Sequence, residues 1–513
     1  MKLQNLSSQN IKRMVSRFHN QLLLSFCFRI LNSFLLFTFF QPDEYYQAWE
    51  PAYIEMFHRG YKTWEWHAGL RTSLLPRFFT LIIRIAEILN INYLVLGKIV
   101  MAFVAALADV YTGKVAETVT NSREIGIYTW LISLGSMFNW YCSTRTFSNT
   151  LEMALTIVAF YVWAPTKTDY KRISWIRLAF AQLLAHISIA LRPSAGIFWL
   201  HIGIYSIFMF KGWKERVNYS LFSFLVALIC QTSIVLLDLD YYSPDFKVPY
   251  LEFFRFNVLY KVSSLYGENE VYWYITQGVT FLLMGYIPYF ILGWRKTPGL
   301  IKQIIVVNLS LMSLISHKEQ RFLFFLLPFM HISTAIGFEG SRRSVWAKLK
   351  PLAVLVNVVV ALYLSIFHMG GVSNVVETIR KDNSIKEVAF LMPCHATPWH
   401  SHFQRQDAEF NPLFLSCEPP WKQYIALNNP SFEDEDLLSN SLDSYKTETE
   451  LFYEDPSEYL SQHPELITDT IVVYEPLQEL MESHGYAIRD SFFNGLFTDD
   501  ERKSGHILIM SKD

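Results

Sequence analysis

Apolar residues are gathered along this chain into repeated blocks that are separated by short polar segments. Each block is about 18–20 residues long, the length at which a helix crosses the hydrocarbon core of a bilayer. A soluble protein would not usually collect its apolar residues in this way. The pattern therefore predicts an all-α polytopic membrane protein with eleven spans, near residues 22–40, 93–111, 125–142, 148–164, 174–191, 196–211, 218–238, 274–294, 301–316, 320–340 and 351–369.

One further apolar stretch, residues 74–90, differs from these blocks because it carries Arg77, Arg84 and Glu87. Charged side chains are costly at the centre of a bilayer. We therefore expect an amphipathic helix that lies in the membrane interface. If this stretch crossed the membrane instead, the orientation of every later span would be reversed.

Charge divides the chain into two parts. Residues 373–513 hold 26 acidic and 10 basic side chains, whereas the residues before them hold 20 acidic and 34 basic ones. This asymmetry predicts a membrane domain over residues 1–370 and an acidic, water-facing domain over residues 371–513. In the second domain, Thr470–Tyr474 and Ile507–Met510 are typical of short strands, so we expect a small α+β fold there.

Eleven spans with a cytosolic N-terminus place the basic loops in the cytosol, as the positive-inside rule requires. The lumenal side then receives a long first loop, residues 41–92, and the acidic domain. No small-residue cleavage site follows the first apolar block, so we expect an uncleaved span. Cys394 and Cys417 both lie in the acidic domain. An oxidising lumen would permit a disulfide between them and a reducing compartment would not, and the sequence leaves both alternatives open.

The first loop opens with the string QPDEYYQAWE, residues 41–50, in which Asp43 and Glu44 are adjacent carboxylates. Desolvating charged groups at a membrane surface costs free energy, so the presence of two adjacent carboxylates there has to be explained. A structural reason is a helix start, because Pro42 suits the first helical position and carboxylates favour a helix N-terminus. A functional reason is a general base with a neighbour that orients the substrate or the base. The two reasons are compatible.

The same loop contains the string TWEWHAGLR, residues 63–71, in which aromatic rings alternate with charged groups. Aromatic rings stack on the faces of sugars, while charged groups bond their hydroxyls. An aromatic belt at the membrane interface explains the same composition equally well. The candidate sugar-binding residues are Trp64, Glu65, Arg71 and, from the preceding string, Gln47.

The sharpest polar segment is HKEQRF, residues 317–322, between two apolar runs. Potential cations grouped at one membrane face indicate an anion there, most naturally a lipid phosphate. A lipid-headgroup anchor or an internal ion pair to Glu319 are the alternatives. The candidate phosphate-binding residues are His317, Lys318 and Arg321, with Arg145 and Arg192 from two other polar segments as second-rank partners.

Other chemistries find little support in the sequence. It has no glycine-rich phosphate loop, CxxC pair or HExxH motif, and nothing in it indicates a nucleic-acid partner. His395, His400 and His402 lie close together in the acidic domain, which raises the alternative of a metal site, but we expect a structural loop there.

The strings at residues 41–50 and 317–322 are similar to the two signatures of glycosyltransferase family 22. That family contains the endoplasmic-reticulum mannosyltransferases of the N-glycan and GPI-anchor pathways. The string at residues 63–71 and the tail strings LMPCHATPW (391–399) and LSCEPP (415–420) resemble members of the GPI pathway. The resemblance covers the chain from about residue 35 to its end.

The resemblance implies a C-type glycosyltransferase fold in the endoplasmic-reticulum membrane. It also implies an inverting α-1,2-mannosyltransferase that transfers the third mannose from dolichyl-phosphate mannose to a two-mannose GPI glycolipid, with no metal or other cofactor required. The donor linkage is β and the product α, so one base suffices. Asp43 is the candidate base and Glu44 the second choice. The phosphate leaving group needs charge stabilisation, which we expect from the cations named above.

Two other functions are compatible with parts of this pattern. A mannosyltransferase of the dolichol-linked N-glycan precursor would differ in its acceptor, and only the tail strings argue against it. A polytopic lipid or solute transporter would also carry charges among its spans. Transporters usually show inverted repeats and broken mid-membrane helices, and the sequence predicts neither.

Overall fold

A computed structural model describes residues 8–163, 174–245, 247–259, 267–421, 423, 445–498 and 500–512. The apolar blocks form helices, and the strands of one small sheet lie between residues 387 and 512. The helices are α1 (Ser8–Leu35), α2 (Glu50–Phe57), α3 (Trp64–His67), α4 (Leu74–Leu89), α5 (Tyr93–Thr120), α6 (Arg123–Gly135), α7 (Met137–Cys142), α8 (Ser148–Trp163), α9 (Trp175–Leu191), α10 (Ala195–Met209) and α11 (Trp213–Tyr241). They continue with α12 (Pro249–Phe254), α13 (Val279–Leu283), α14 (Ile287–Trp294), α15 (Gly299–Ser313), α16 (Leu327–Gly340), α17 (Trp346–Ile366), α18 (Gly370–Lys381), α19 (His400–Phe403), α20 (Glu448–Glu454), α21 (Pro456–Gln462) and α22 (Gln478–Ser483).

Several helical segments have the length and composition of membrane spans. Among the described residues, five such segments are Tyr93–Thr120, Trp213–Tyr241, Tyr274–Trp294, Gln320–Gly340 and Trp346–Lys381. Three shorter apolar helices are α9, α10 and α15. The chain is therefore a multi-pass membrane protein, whereas the count of eleven spans and their orientation stay predictions.

Two predicted spans contain breaks that the hydropathy pattern does not reveal. The span at 125–142 is interrupted at Ser136, whose backbone is extended between α6 and α7. The span at 274–294 is interrupted at Met284, which has φ +44°. Pro288 then lies in the first turn of α14, where its missing N–H breaks no helical hydrogen bond. The expectation of unbroken spans is wrong at these two places.

The stretch at 74–90 forms the amphipathic helix α4. Its buried face includes Phe79 and Ile83, which are completely covered, whereas Leu81 and Ile88 on the other face are exposed. The helix ends at Asn90, which has the left-handed conformation common at helix C-termini. One face of α4 therefore belongs to the protein core and the other is available to the membrane interface.

Helices α14 and α16 cross with their backbones in close contact. A Cβ atom at Gly293 would come within 1.9 Å of the Ser333 carbonyl oxygen, and one at Gly337 would come equally close to the Tyr289 carbonyl oxygen. Only glycine allows the two backbones to approach in this way. This contact fixes α16, whose preceding 3₁₀ segment, Gln320–Leu326, carries Arg321.

The C-terminal sheet consists of β1 (Glu387–Phe390), β2 (Asn411–Phe414), β3 (Thr470–Tyr474), β4 (Tyr486–Phe493) and β5 (His506–Lys512). The strand order is β2-β1-β3-β5-β4. β1 pairs in parallel with β2 and β3, and β5 pairs antiparallel with β3 and β4. The two predicted strands are confirmed as β3 and β5, and the expected α+β content is present.

The sheet is covered on both faces, and one face joins it to the first loop. Helices α20 to α22 cover one side through Phe452, Leu460 and Met481. On the other side, α18 packs in a cluster that also contains Tyr45 and Tyr46 of the first loop. The C-terminal domain is thereby held against the segment that carries Asp43 and Glu44.

Candidate active site

Asp43 and Glu44 lie at the start of a helical segment in the first loop. The carbonyl of Pro42 accepts hydrogen bonds from the amides of Tyr45 and Tyr46, each at 2.9 Å. A π-helical segment, Tyr45–Trp49, then leads into α2. The predicted helix start is confirmed, and it directs the two neighbouring carboxylates towards different partners.

Asp43 contacts Arg321. One guanidinium nitrogen of Arg321 lies 2.5 Å from Oδ2 of Asp43, and the side chain of Asp43 remains 22% exposed. Arg321 also makes a two-pronged contact with Glu319, at 2.7 and 2.8 Å. The two halves of the site, 41–50 and 317–322, therefore meet through one arginine.

Glu44 contacts Arg145 instead. The guanidinium of Arg145 donates to Glu44 at 2.8 Å, and it also donates to the Thr38 carbonyl, the Thr38 hydroxyl and the Tyr141 carbonyl. Arg145 is 1% exposed and Glu44 is 8% exposed. The hydrogen bonds of Arg145 thus fix the start of the first loop. To contact a donor phosphate, Arg145 would have to break one of them.

His317 and Lys318 point in different directions. Nε2 of His317 lies 3.3 Å from Glu319. Burial lowers the pKa of His317, but its hydrogen bond with Glu319 raises that pKa above the ordinary value. Burial likewise raises the pKa of Glu319, yet Arg321 and His317 outweigh this effect and hold it well below its ordinary value. The buried amine of Lys318 donates to the Asn269 carbonyl at 2.7 Å, outside this group of charges.

Arg192, the first residue after α9, is linked to Arg321 through Asn149. Its Nε lies 3.1 Å from Glu152 of α8, and another of its nitrogens donates to the Asn149 side chain. The amide of Asn149 in turn donates to the Arg321 carbonyl at 2.9 Å. Arg192 and Arg321 both lie against the ring of Phe322. Asn149 and Glu152 follow Arg145 closely in the chain, and the sequence alone indicated no role for them.

The candidate sugar-binding residues fall into two groups. Glu65 accepts from Arg71 at 2.5 Å and from Gln47 at 3.1 Å. Arg71 lies within electrostatic range of Asp43 and Arg321, so these three residues border the same site. Trp64, by contrast, is 7% exposed and packs in a small core cluster with Phe256. The structure thus brings Gln47, Glu65 and Arg71 together and packs Trp64 in a separate hydrophobic cluster.

The tail cysteines form a disulfide, Cys394–Cys417, in the C-terminal domain. Ligand atoms of these two residues and of His395 lie within 4.8 Å of one another. The two sulfurs are joined and offer no thiolate, which is the form that binds metal ions. His400 and His402 belong to α19 and pack against aromatic rings of Phe410 and Tyr45 respectively.

The site as a whole consists of the carboxylate of Asp43 and three arginines around it. Arg71, Arg192 and Arg321 are all within electrostatic range of Asp43. Each arginine is paired with an acidic residue: Glu65, Glu152 and Glu319 respectively. Such a site can hold an anion and, at the same time, present a base to a hydroxyl group.

A family model described as the Alg9-like mannosyltransferase family matches residues 21–404. The chain belongs to this family. The resemblance to glycosyltransferase family 22 is therefore confirmed, and the chain is a glycosyltransferase. The matched residues include Asp43, Arg71, Arg192 and Arg321, as well as the first part of the C-terminal domain.

Similar proteins of this family cover nearly the whole chain. The GPI mannosyltransferase 3 of Debaryomyces hansenii is 32% identical over 94% of this chain and 90% of that protein. The GPI mannosyltransferase 3 of Yarrowia lipolytica is 33% identical over 94% and 95%. The GPI alpha-1,2-mannosyltransferase 3 of Bos taurus is 29% identical over 94% and 87%.

Solved structures share the fold at low identity. The crystal structure of ArnT from Cupriavidus metallidurans bound to undecaprenyl phosphate has a TM-score of 0.59 at 9% identity, and the match covers 97% of this chain and 98% of that one. An Archaeoglobus fulgidus oligosaccharyltransferase has a TM-score of 0.50 at 9% identity, over 94% and 73%. At such identities the likeness concerns the fold alone, and it extends over the C-terminal domain. It supports the expected C-type glycosyltransferase fold.

Proposed function

We propose that this chain adds the third mannose, in α-1,2 linkage, to the two-mannose GPI precursor, with dolichyl-phosphate mannose as the donor. The observation that carries the proposal is the identity of about 30% along nearly the whole chain with relatives named for this step. The N-glycan precursor is the alternative acceptor. The names of the similar proteins described above favour the GPI precursor.

Asp43 is the proposed base that accepts the proton of the acceptor 2-hydroxyl. Its Oδ2 accepts from Arg321, and no residue in the described part of the chain donates to Oδ1, which can therefore accept from a substrate hydroxyl. Glu44 is nearly buried and committed to Arg145, so it is the weaker candidate. An inverting displacement needs one base, on the face of the sugar opposite the leaving group.

Arg321, Arg192 and Arg71 are the proposed partners of the donor phosphate. The leaving group is anionic, so charge stabilisation matters more than protonation. Each arginine is held in place by a carboxylate before substrate arrives. His317 supports Glu319, and through it Arg321. Lys318 is directed towards Asn269 and is a weaker candidate. The scheme requires no metal or other cofactor.

The proposed location is the endoplasmic-reticulum membrane, with the N-terminus in the cytosol and the C-terminal domain in the lumen. The pathway named by the relatives supports the compartment. The Cys394–Cys417 disulfide supports the orientation, because disulfides persist in oxidising compartments.

The test is a microsome assay with dolichyl-phosphate mannose and a two-mannose GPI lipid. We expect a three-mannose product that an α-1,2-specific mannosidase trims back. Asp43→Asn keeps the shape and loses the base, so turnover should fall by about 10²- to 10⁴-fold with normal membrane insertion. Asp240→Asn is the matched control, because Asp240 is an exposed carboxylate paired with Arg77.

Near-normal turnover by Asp43→Asn would refute the base assignment while leaving the acceptor assignment intact. Elongation of the dolichol-linked N-glycan precursor, and not of the GPI lipid, would move the chain to the alternative acceptor. If neither lipid were elongated by the wild type, the proposed function would be wrong.

A further inference from the structure

A loop of the C-terminal domain packs directly on the turn that carries Asp43. The hydroxyl of Tyr46 donates to the Thr397 carbonyl at 3.1 Å. The ring of His395 meets the ring of Tyr46 edge-on, with 4.6 Å between the centroids. This contact brings a histidine from the far end of the sequence to the immediate surroundings of the proposed base.

The backbone of His395 is held in an uncommon conformation. Its φ is +52°, in the left-handed region that side-chain-bearing residues seldom adopt. The preceding residue, Cys394, is tied by the disulfide to Cys417. Strained residues of this kind persist where the surroundings determine them, and they concentrate at functional sites.

One imidazole nitrogen of His395 has no hydrogen-bond partner among the residues that the structure describes. Nδ1 lies 3.5 Å from the sulfur of Cys417. Nε2 is shielded from solvent and has no hydrogen-bond partner within the described part of the chain. Buried polar atoms are nearly always paired, so such an atom needs an explanation. The ring also borders a small cavity between its loop and Tyr46.

The charge state of His395 indicates the kind of ligand. Burial lowers its pKa to about 4, although Asp43, within electrostatic range, raises it. The ring is therefore neutral near pH 7 and offers one donor and one acceptor nitrogen. A neutral group suits a sugar hydroxyl, whereas the arginines around Asp43 suit a phosphate.

We propose that His395 is an acceptor-binding residue, whose Nε2 forms a hydrogen bond with a hydroxyl of the acceptor glycan. This inference rests on the proposed function, since it needs a sugar acceptor at Asp43. The C-terminal domain then forms one wall of the acceptor site. The disulfide presents the histidine, and Tyr46 connects it to the turn of Asp43.

The test compares three variants of the full chain in microsomes, with acceptor and donor concentrations varied separately. His395→Phe keeps the aromatic contact with Tyr46 and loses both nitrogens. His395→Gln keeps an amide near the position of Nε2. His402→Phe is the matched control, because His402 comes from the same part of the domain and packs edge-on against Tyr45 at 4.9 Å.

We expect His395→Phe to raise the KM for the two-mannose acceptor by about 3- to 10-fold, the effect of one neutral hydrogen bond, with the donor KM unchanged. His395→Gln and His402→Phe should stay near wild type. If His395→Phe does not accumulate, His395→Asn, whose amide reaches only the Nδ1 position, should raise the acceptor KM where His395→Gln does not.

An unchanged acceptor KM in His395→Phe would overturn the inference. So would an equal rise in the donor KM, or equal impairment of His395→Phe and His395→Gln, because a packing role predicts these results. All of these outcomes presuppose an active wild type. They are therefore distinct from the failure of the proposed function, in which the wild type makes no three-mannose product.

Discussion

Asp43 and Glu44 are neighbours in the chain, but Asp43 is partly exposed and Glu44 is buried. Successive residues of a helix point about 100° apart. Asp43 therefore reaches Arg321 at the site, and Glu44 reaches Arg145 inside the protein. Arg321 keeps Glu319 as a second partner, whereas Glu44 is the carboxylate that balances Arg145. Asp43 is therefore the carboxylate that we propose for the chemistry, whereas Glu44 neutralises a buried arginine.

We predict that Glu44→Gln reduces stability more than it reduces catalysis. It leaves the buried Arg145 without a countercharge, which costs about 3 kcal/mol or more in the free energy of unfolding. Thermal unfolding in detergent should show a lower Tm, while the turnover of the folded fraction stays close to wild type. Asp43→Asn should give the reverse pattern. A loss of turnover in Glu44→Gln at unchanged Tm would instead make Glu44 the base.

At the scale of elements, α4 is tied to α11 by a buried carboxylate. Asp238, near the end of α11, accepts from the amide and the hydroxyl of Ser73, both at 2.7 Å, and from the Thr72 hydroxyl. Ser73 precedes α4 and makes no side-chain cap of its own. A carboxylate at a helix N-terminus is favourable, so Asp238 takes the place of the missing cap.

We predict that Asp238→Ala lowers the free energy of unfolding by roughly 2–3 kcal/mol, because it leaves buried donors of Ser73 and Thr72 unpaired. The matched control is Asp240→Ala two residues later, since Asp240 is exposed and pairs with Arg77 of the same α4. An exposed ion pair contributes about 1 kcal/mol or less. Chemical or thermal unfolding of both variants measures the difference, and equal effects would contradict the capping role.

At the scale of the whole molecule, Glu50 joins the first loop to the C-terminal domain. Its completely buried carboxylate accepts from the Ser401 amide at 3.0 Å and from the Tyr61 amide at 3.3 Å. Burial raises the pKa of Glu50 to about 7, although these hydrogen bonds lower it. The contact between the two domains therefore contains a carboxylate that titrates near neutral pH.

We predict that Glu50 makes the protein less stable as the pH rises from about 5 to about 7. Between the unfolded and folded pKa values the folded state holds a proton that the unfolded state has lost, so stability falls with pH and then levels off. The change is on the order of 3 kcal/mol. The buried histidines also titrate, but they are present in both wild type and Glu50→Gln. The difference in unfolding free energy between the two proteins therefore measures the contribution of Glu50 alone. A difference that stays constant over this range would refute the prediction.

The sequence by itself determined the class of molecule and the chemical inventory of its site. Apolar blocks marked the helices, because a helix that crosses a bilayer needs about 20 consecutive, mostly apolar residues. Short continuous apolar runs marked β3 and β5, whose residues are mostly buried. Local strings supplied Asp43, Arg71, Arg192 and Arg321, and they identified the family. All of these signals are local, so they can be read from neighbouring residues.

Only the tertiary structure decided which of these residues meet. The pairing of Asp43 with Arg321 spans 278 residues, and no local pattern contains it. The packing of Trp64 against Phe256 and the hydrogen bond from Lys318 to the Asn269 carbonyl also depend on distant elements. The place of His395 depends on a domain that docks through its sheet onto the first loop. Side-chain contacts of this kind arise from packing across the whole chain, and packing is decided when the elements assemble.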